Sequence, residues 1–213
     1  MPKQRIFTIG HSTHDIDKFI EFLKKQKVNC LIDVRSQPYS RIAPQFNKDR
    51  LSSNLKSHGI LYAHFAREFG ARHTKPSLFD PDNKVDFDKV RDSSGFKQGV
   101  KRLKQGLDLG HTIALMCSEA NPFDCHRFSM ISYQLRKELE VSHILKDGNL
   151  VDNSVLENEL LEKYNKKLDP LFDTEDQQIE KAYRMRGKDI AYSINNVKLT
   201  KNSRKTKTGG MVR

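Results

Sequence analysis

Five short apolar runs punctuate the first 145 residues: "RIFTIG" (5–10), "NCLIDVR" (29–35), "ILYAHF" (60–65), "TIALMCS" (112–118) and "EVSHIL" (140–145). Short apolar runs bounded by turn residues read as buried strands. Segments of helical period separate them. Ile16, Phe19, Ile20 and Leu23 share one helix face, with Thr13 as its expected N-cap. A second helix is expected near 47–58, closed by Gly59, and a third over 95–110 with Phe96, Val100, Leu103 and Leu107 on one side. A fourth, "DCHRFSMISYQLRKEL" (124–139), has Asp124 as its expected N-cap. Residues 66–94 are polar and irregular, too long for an ordinary connector.

Strands that alternate with helices need crossover connections. They therefore favour a mostly parallel sheet with helices on both faces. The expected fold class is α/β, a three-layer sandwich around such a sheet, with a helical C-terminal extension. The expected division is an α/β core over 1–150, a helical extension of the same domain over 151–195, and a basic tail over 196–213.

The chain has 213 residues, which suits one domain, and three cysteines, too few for a disulfide framework. With no signal peptide and no long apolar run, it reads as cytoplasmic, with reduced thiols and no membrane association. The formal net charge is +11, which points to a polyanionic partner. Residues 198–213 hold six Lys or Arg and no acid, so removing them leaves +5. The tail is either a solvated appendage or an arm for nucleic acid.

Ligands of open parallel sheets bind beyond the carboxyl ends of the strands. Each expected strand here ends in reactive residues: Gly10, His11 and Ser12; Asp33 and Arg35; His64; Cys117 and Glu119. Gly10 permits a tight turn before a helix start whose free amides suit an anion. Asp33 and Arg35 lie two apart on one strand face. They either look into a shared pocket or form an internal pair that only fixes the loop. Arg35 with Arg41, on the loop that also holds Ser40, favours a phosphate or carboxylate ligand. Tyr39 or Tyr62 offers a stacking surface or core packing.

"LMCSEANPFDCHR" (115–127) puts Cys117, Glu119, Cys125, His126 and Arg127 close together. A disulfide is not expected in a reducing compartment. A zinc site is not expected either, because Cys125 and His126, adjacent on a helix, would point about 100° apart. A phosphatase-type loop needs an arginine six positions after the cysteine, and that position is Phe123. The expected arrangement is a strand–loop–helix corner, with Cys125 acidified at a helix start and Arg127 turned toward a carboxylate or ligand phosphate. The alternative for both cysteines is that of small buried hydrophobes.

"TIGHS", "LIDVRSQPYSR", "GILYAHF" and "LMCSEANPFDCHR" occur here in the order seen in the domain of unknown function 488 family, which the chain resembles over roughly residues 5 to 193. The resemblance implies a Rossmann-like α/β sandwich and brings no established reaction. It carries over Gly10, His11, Ser12, Asp33, Arg35, Pro38, Ser40, Tyr62, Cys117, Glu119, Cys125, His126 and Arg127. "EFGARH" (68–73) departs from the glycines that members often carry after "LG". The second strand followed by a strand ending in Cys117 also resembles rhodanese domains, but the loop after Cys117 holds Glu119 and Pro122 and no glycine.

The function expected from these residues is an enzyme acting on a phosphate-bearing nucleotide or nucleic acid. Asp33 and Glu119 would be the acid–base pair, with His11 or His126 assisting. Hydrolysis, including cleavage of a glycosidic bond, fits two such carboxylates. Gly10, Ser12, Arg35, Ser40, Arg41, Tyr62, Cys117, Cys125 and Arg127 would form the binding surface, with neither metal nor other cofactor. Two other classes compete: a rhodanese-like sulfur-handling enzyme and a non-catalytic nucleic-acid-binding module.

Overall fold

A computed structural model describes residues 3–194. The basic tail expected over 196–213 therefore lies outside the described residues. The strands are β1 (Arg5–Gly10), β2 (Cys30–Asp33), β3 (Leu61–His64), β4 (Ile113–Cys117), β5 (Glu140–Ile144) and β6 (Leu150–Asp152). They form one sheet in the order β3-β2-β4-β1-β5-β6. The first five are parallel, and β6 runs antiparallel to β5. The sixth strand was not expected: its three residues are too short to show a periodicity.

Helices cover both faces. Alternate residues of β4 feed two separate cores. Ala114 and Met116 pack with Phe19 and Leu23 of α1 (Ile16–Lys25) and Leu51 and Leu55 of α2 (Lys48–Ser57). Ile113, Leu115 and Cys117 pack with Phe96, Leu103 and Leu107 of α5 (Ser94–Asp108) and with Met130 and Ile131. The period-2 strand pattern thus becomes a three-layer sandwich. Gly59, in the left-handed region at φ 72°, closes α2 as expected. The polar stretch after β3 contains two short helices, α3 (Ala66–Phe69) and α4 (Phe87–Asp92).

Two expected caps are corrected. Asp15, not Thr13, occupies the N-cap of α1, and its side chain makes no capping bond. Asp124 does not start a helix. It ends a 3-10 turn over Pro122–Asp124 that is capped by Asn121, whose Oδ1 accepts from the Phe123 N–H at 3.0 Å. The helix begins later, as a π-helix over Arg127–Ser132, and passes into a single turn, α6 (Tyr133–Leu135).

α7 (Asn153–Tyr164) and α8 (Glu175–Ile190) share a third core with the corner after β4: Leu156, Leu160, Ala182 and Tyr183 surround Phe123 and Phe128. Among the described residues, no helix is long and apolar enough to cross a membrane.

Candidate functional site

The carboxyl ends of β1, β2, β3 and β4 lie along one sheet edge, because Gly10 pairs with Cys117 and Asp33 with both Met116 and His64. Helices after β2 pack on one face and those after β4 on the other. The loops after these neighbouring strands diverge and leave a crevice, the usual ligand position in such sheets. A cleft of about 200 Å³ opens there, lined by Arg35, Ser36, Tyr39 and Ser40 from the loop after β2 and by Cys117, Glu119 and His126. A second cleft of about 170 Å³ shares Arg72, Glu119 and His126 and adds Cys125 and Asp124. A larger cavity, about 700 Å³, adjoins the same loop at Ala120, Asn121 and Pro122 but contains none of the clustered residues. The reactive side chains converge at the smaller clefts, which form the candidate site.

Beneath the cleft, Asp33 is sealed. Its carboxylate takes a bidentate pair from Arg35, Nε at 2.9 Å and Nη2 at 2.6 Å, and a hydrogen bond from the Tyr62 hydroxyl at 2.8 Å. Asp33 is fully buried and does not line the cleft. Arg35 also donates to the Phe46 carbonyl at 2.8 Å and through Nη1 to the His11 Nε2 at 3.0 Å. His11 donates from Nδ1 to the Ser12 carbonyl at 2.8 Å, and its ring stacks on Phe46. Burial and the Arg35 charge push its pKa down to about 4, so it is neutral. Both partners of the internal pair are thereby engaged in holding the loop. The structure does not bring Asp33 and His11 to the cleft lining as free acid–base groups.

The remaining expected residues fall into two sets. Gly10 abuts the Glu119 backbone, and the Ser12 N–H donates to the Ser118 carbonyl at 3.0 Å, so both hold the loop after β4. The Ser40 hydroxyl accepts from the Ile42 and Ala43 amides and shapes the cleft rim. Arg41 is exposed and does not line the cleft.

Arg127 is a correction. It is wholly buried, yet among the described residues no carboxylate pairs with it. Nη1 donates to the Glu119 carbonyl at 2.7 Å and Nη2 to the Ala120 carbonyl at 3.0 Å, while Nε has no partner. It holds the loop from inside rather than facing a phosphate.

The expected divergence of Cys125 and His126 is also corrected. Cys125 is extended (φ −126°, ψ 145°) and His126 is the first residue with helical angles (φ −61°, ψ −20°). The bend between them replaces the helical fan of side chains, and their donor atoms turn to the same point. Cys117 and Cys125 each donate to the Glu119 Oε2, at 2.8 and 3.1 Å. His126 Nδ1 lies 3.8 Å from the Cys117 Sγ and 3.7 Å from the Cys125 Sγ. One donor atom from each of the four residues lies within 4.8 Å of every other, a set able to hold a metal ion. Both cysteines are unbridged.

The two thiols differ. The hydrogen bond to Cys125, together with burial, holds the Cys117 thiol well above its usual range. Burial opposes charge on Cys125 too, but the Cys117 hydrogen bond, Arg127 and His126 outweigh it and hold that thiol well below its usual range. Glu119 is raised, chiefly because its carboxyl end is desolvated against the two cysteines, although the residue as a whole is open to the cleft.

Two contributors were missed in the sequence. Arg72 lines both clefts, and its N–H donates to the Ser36 hydroxyl at 2.9 Å. Arg186 of α8 donates from Nε to the Phe123 carbonyl at 3.0 Å and pairs with Asp124. Arg72 stands in the irregular "EFGARH" stretch, where periodicity carries no signal, and Arg186 lies 62 positions from Asp124.

Comparison with curated proteins and with solved structures gives no match. A family model described as domain of unknown function DUF488 matches residues 15–134. The matched stretch holds Asp33, Arg35 and the whole Cys117–Arg127 corner, and Gly10, His11 and Ser12 precede it. More than half of the chain is covered, and the chain belongs to this family of unknown function.

Proposed function

We propose that the chain is an enzyme whose reaction centre is the Glu119 carboxyl over the paired cysteines, and that its substrate carries an anionic group, as a nucleotide or phosphate ester does. The observation that carries this reading is the position of Glu119. It is the one carboxylate lining the first cleft among the described residues, it recurs in the second, and the Cys117 S–H orients it, with the Cys125 Sγ 3.1 Å away. Arg72 makes the surrounding wall positive, the Arg35 charge being matched by Asp33, and Ser36 and Ser40 add hydroxyls. Tyr39, 72% exposed, offers a flat face for a base or sugar. Hydrolysis with Glu119 as the proton-handling group fits this arrangement, whereas a Glu119–Asp33 pair would need a carboxylate that Arg35 and Tyr62 already occupy.

The test is a turnover screen of the full chain against nucleotides, phosphomonoesters and N-glycosides, repeated with Glu119→Gln, which keeps shape and removes charge. Turnover should fall about 10²- to 10⁴-fold with an unchanged unfolding midpoint. A substrate processed equally well by both proteins would remove Glu119 from the chemistry.

A second reading, cysteine-based sulfur transfer, has one observation in its favour: Cys125 is acidified beside the buried Arg127 charge. Against it, Cys117 is 3% and Cys125 1% exposed, poor access for a nucleophile. Complete alkylation of both thiols without loss of turnover would end that reading.

A further inference from the structure

We propose that Cys117, Cys125 and His126, with Glu119 as a displaceable fourth donor, bind a zinc ion. The inference deepens the reading above by naming what the floor of the cleft holds.

Donor type comes first. Two sulfurs, an imidazole nitrogen and a carboxylate are a soft-to-borderline set that suits zinc rather than magnesium or calcium. Geometry comes next. With Zn–S about 2.3 Å and Zn–N about 2.0–2.1 Å, a tetrahedral centre has S···N edges of about 3.5 Å. The observed separations are 3.8 and 3.7 Å, close to those edges. The Glu119 Oε2 lies nearer the sulfurs, at 2.8 and 3.1 Å, and would retreat by several tenths of an ångström. It is the one exposed donor of the four, so it has room to move.

Two independent observations point the same way. The far ring nitrogen of His126, Nε2, lies 3.3 Å from the Val34 carbonyl. Donation of its N–H there leaves Nδ1 as a bare lone pair facing both sulfurs, the tautomer that a ligand histidine adopts. The second is charge. Arg127 is a wholly buried guanidinium without a carboxylate partner among the described residues, and its Nε is unsatisfied. Such a charge is costly alone. Two thiolates and a carboxylate are balanced by a divalent cation and this guanidinium together. Without the cation, the same ligands in their charged forms would repel one another.

Three buried donors and one movable exposed donor match a catalytic rather than a purely structural centre, in which water or substrate takes the fourth position. Release of Glu119 from the ion would free its carboxylate beside that position.

The test reads metal, not activity. The full chain, expressed with added zinc and desalted under reducing conditions without chelator, should carry about one zinc per chain. Exchange with cobalt(II) should give thiolate-to-cobalt charge-transfer absorption. Cys117→Ser and Cys125→Ser should each lower retention at least about tenfold, whereas Glu119→Gln should keep the ion and change the cobalt spectrum. Wild-type protein holding less than about a tenth of an equivalent, or cobalt bound without a charge-transfer band, would overturn the proposal. So would a cysteine variant that retains as much zinc as the wild type. If either serine variant fails to fold by circular dichroism, the cobalt spectrum of the wild type decides alone. Wild-type protein that retains no zinc under these conditions yet shows Glu119-dependent turnover would sink this inference and keep the catalytic reading; stoichiometric zinc with no turnover would do the reverse.

Discussion

A methyl group at Gly10 would lie 1.9 Å from the Glu119 carbonyl oxygen and 3.1 Å from the Ala120 Cα. The last residue of β1 therefore has to be glycine for the loop after β4 to pass over it. The same Glu119 carbonyl accepts from the Arg127 Nη1, so the loop is held between two contacts on one atom. Gly10→Ala should displace that loop, because a backbone atom cannot yield as a side-chain end does. The expected cost is about 2 kcal/mol or more, read from the urea midpoint, together with lost zinc retention. An unchanged midpoint would show that the loop is free to move and that Gly10 does not position Glu119.

At the scale of elements, the corner between β4 and the π-helix does what a regular helix start could not. A helix beginning at Asp124 would fan Cys125 and His126 apart. The 3-10 turn, the extended Cys125 and the late π-helix bring them together, and π-helical segments occur often at functional sites. The corner is braced from outside by α8, where Arg186 bonds the Phe123 carbonyl and Asp124 and lies over the Phe123 ring at 4.7 Å. Arg186→Ala should cost about 1–3 kcal/mol, because it strands a carbonyl and removes ring packing. Arg186→Lys should recover only part, since an ammonium lacks the planar fork that serves both partners. Equal stability of the wild type and both variants in chemical denaturation would show that α8 does not brace the corner.

Across the whole molecule, one buried network ties the sheet to the C-terminal helices. The Thr8 hydroxyl donates to the His143 Nδ1 at 2.8 Å. His143 Nε2 then donates to the Asn153 Oδ1 at 3.1 Å, and the Asn153 amide donates to the Tyr183 hydroxyl at 3.0 Å. Burial pushes the His143 pKa down to about 3. In the unfolded chain the imidazole titrates near 6.5, so between about pH 3 and 6.5 the unfolded state binds the extra proton. Stability should therefore be intact above that window and fall as pH drops through it, by about 2 kcal/mol at pH 5 from this residue. His143→Gln has no proton to bind, and the difference in stability from the wild type should shift in the variant's favour between pH 7 and 5. A difference independent of pH would mean that His143 is not held neutral in the fold.

Local chemistry determined the layers. The apolar runs that became β1 to β5, the amphipathic faces of α1 and α5 and the Gly59 stop were legible, because backbone period and burial are properties of neighbouring residues. The gathering of Gly10, Asp33, His64, Cys117 and Glu119 at one edge followed from parallel strands alone. Only the tertiary structure decided their states. The choice between a free Asp33 and a sealed one depended on Tyr62, 29 positions away, and on the Arg35 rotamer. The convergence of Cys125 and His126 depended on the bend between them, at a corner that Arg127 contacts from inside and Arg186 from outside. β6 escaped notice for the same reason, since its three residues form a strand only against β5. Periodicity records which face of an element is buried. It does not record which side chain from a distant element arrives to satisfy a buried charge, and the chemistry of this site turns on that pairing.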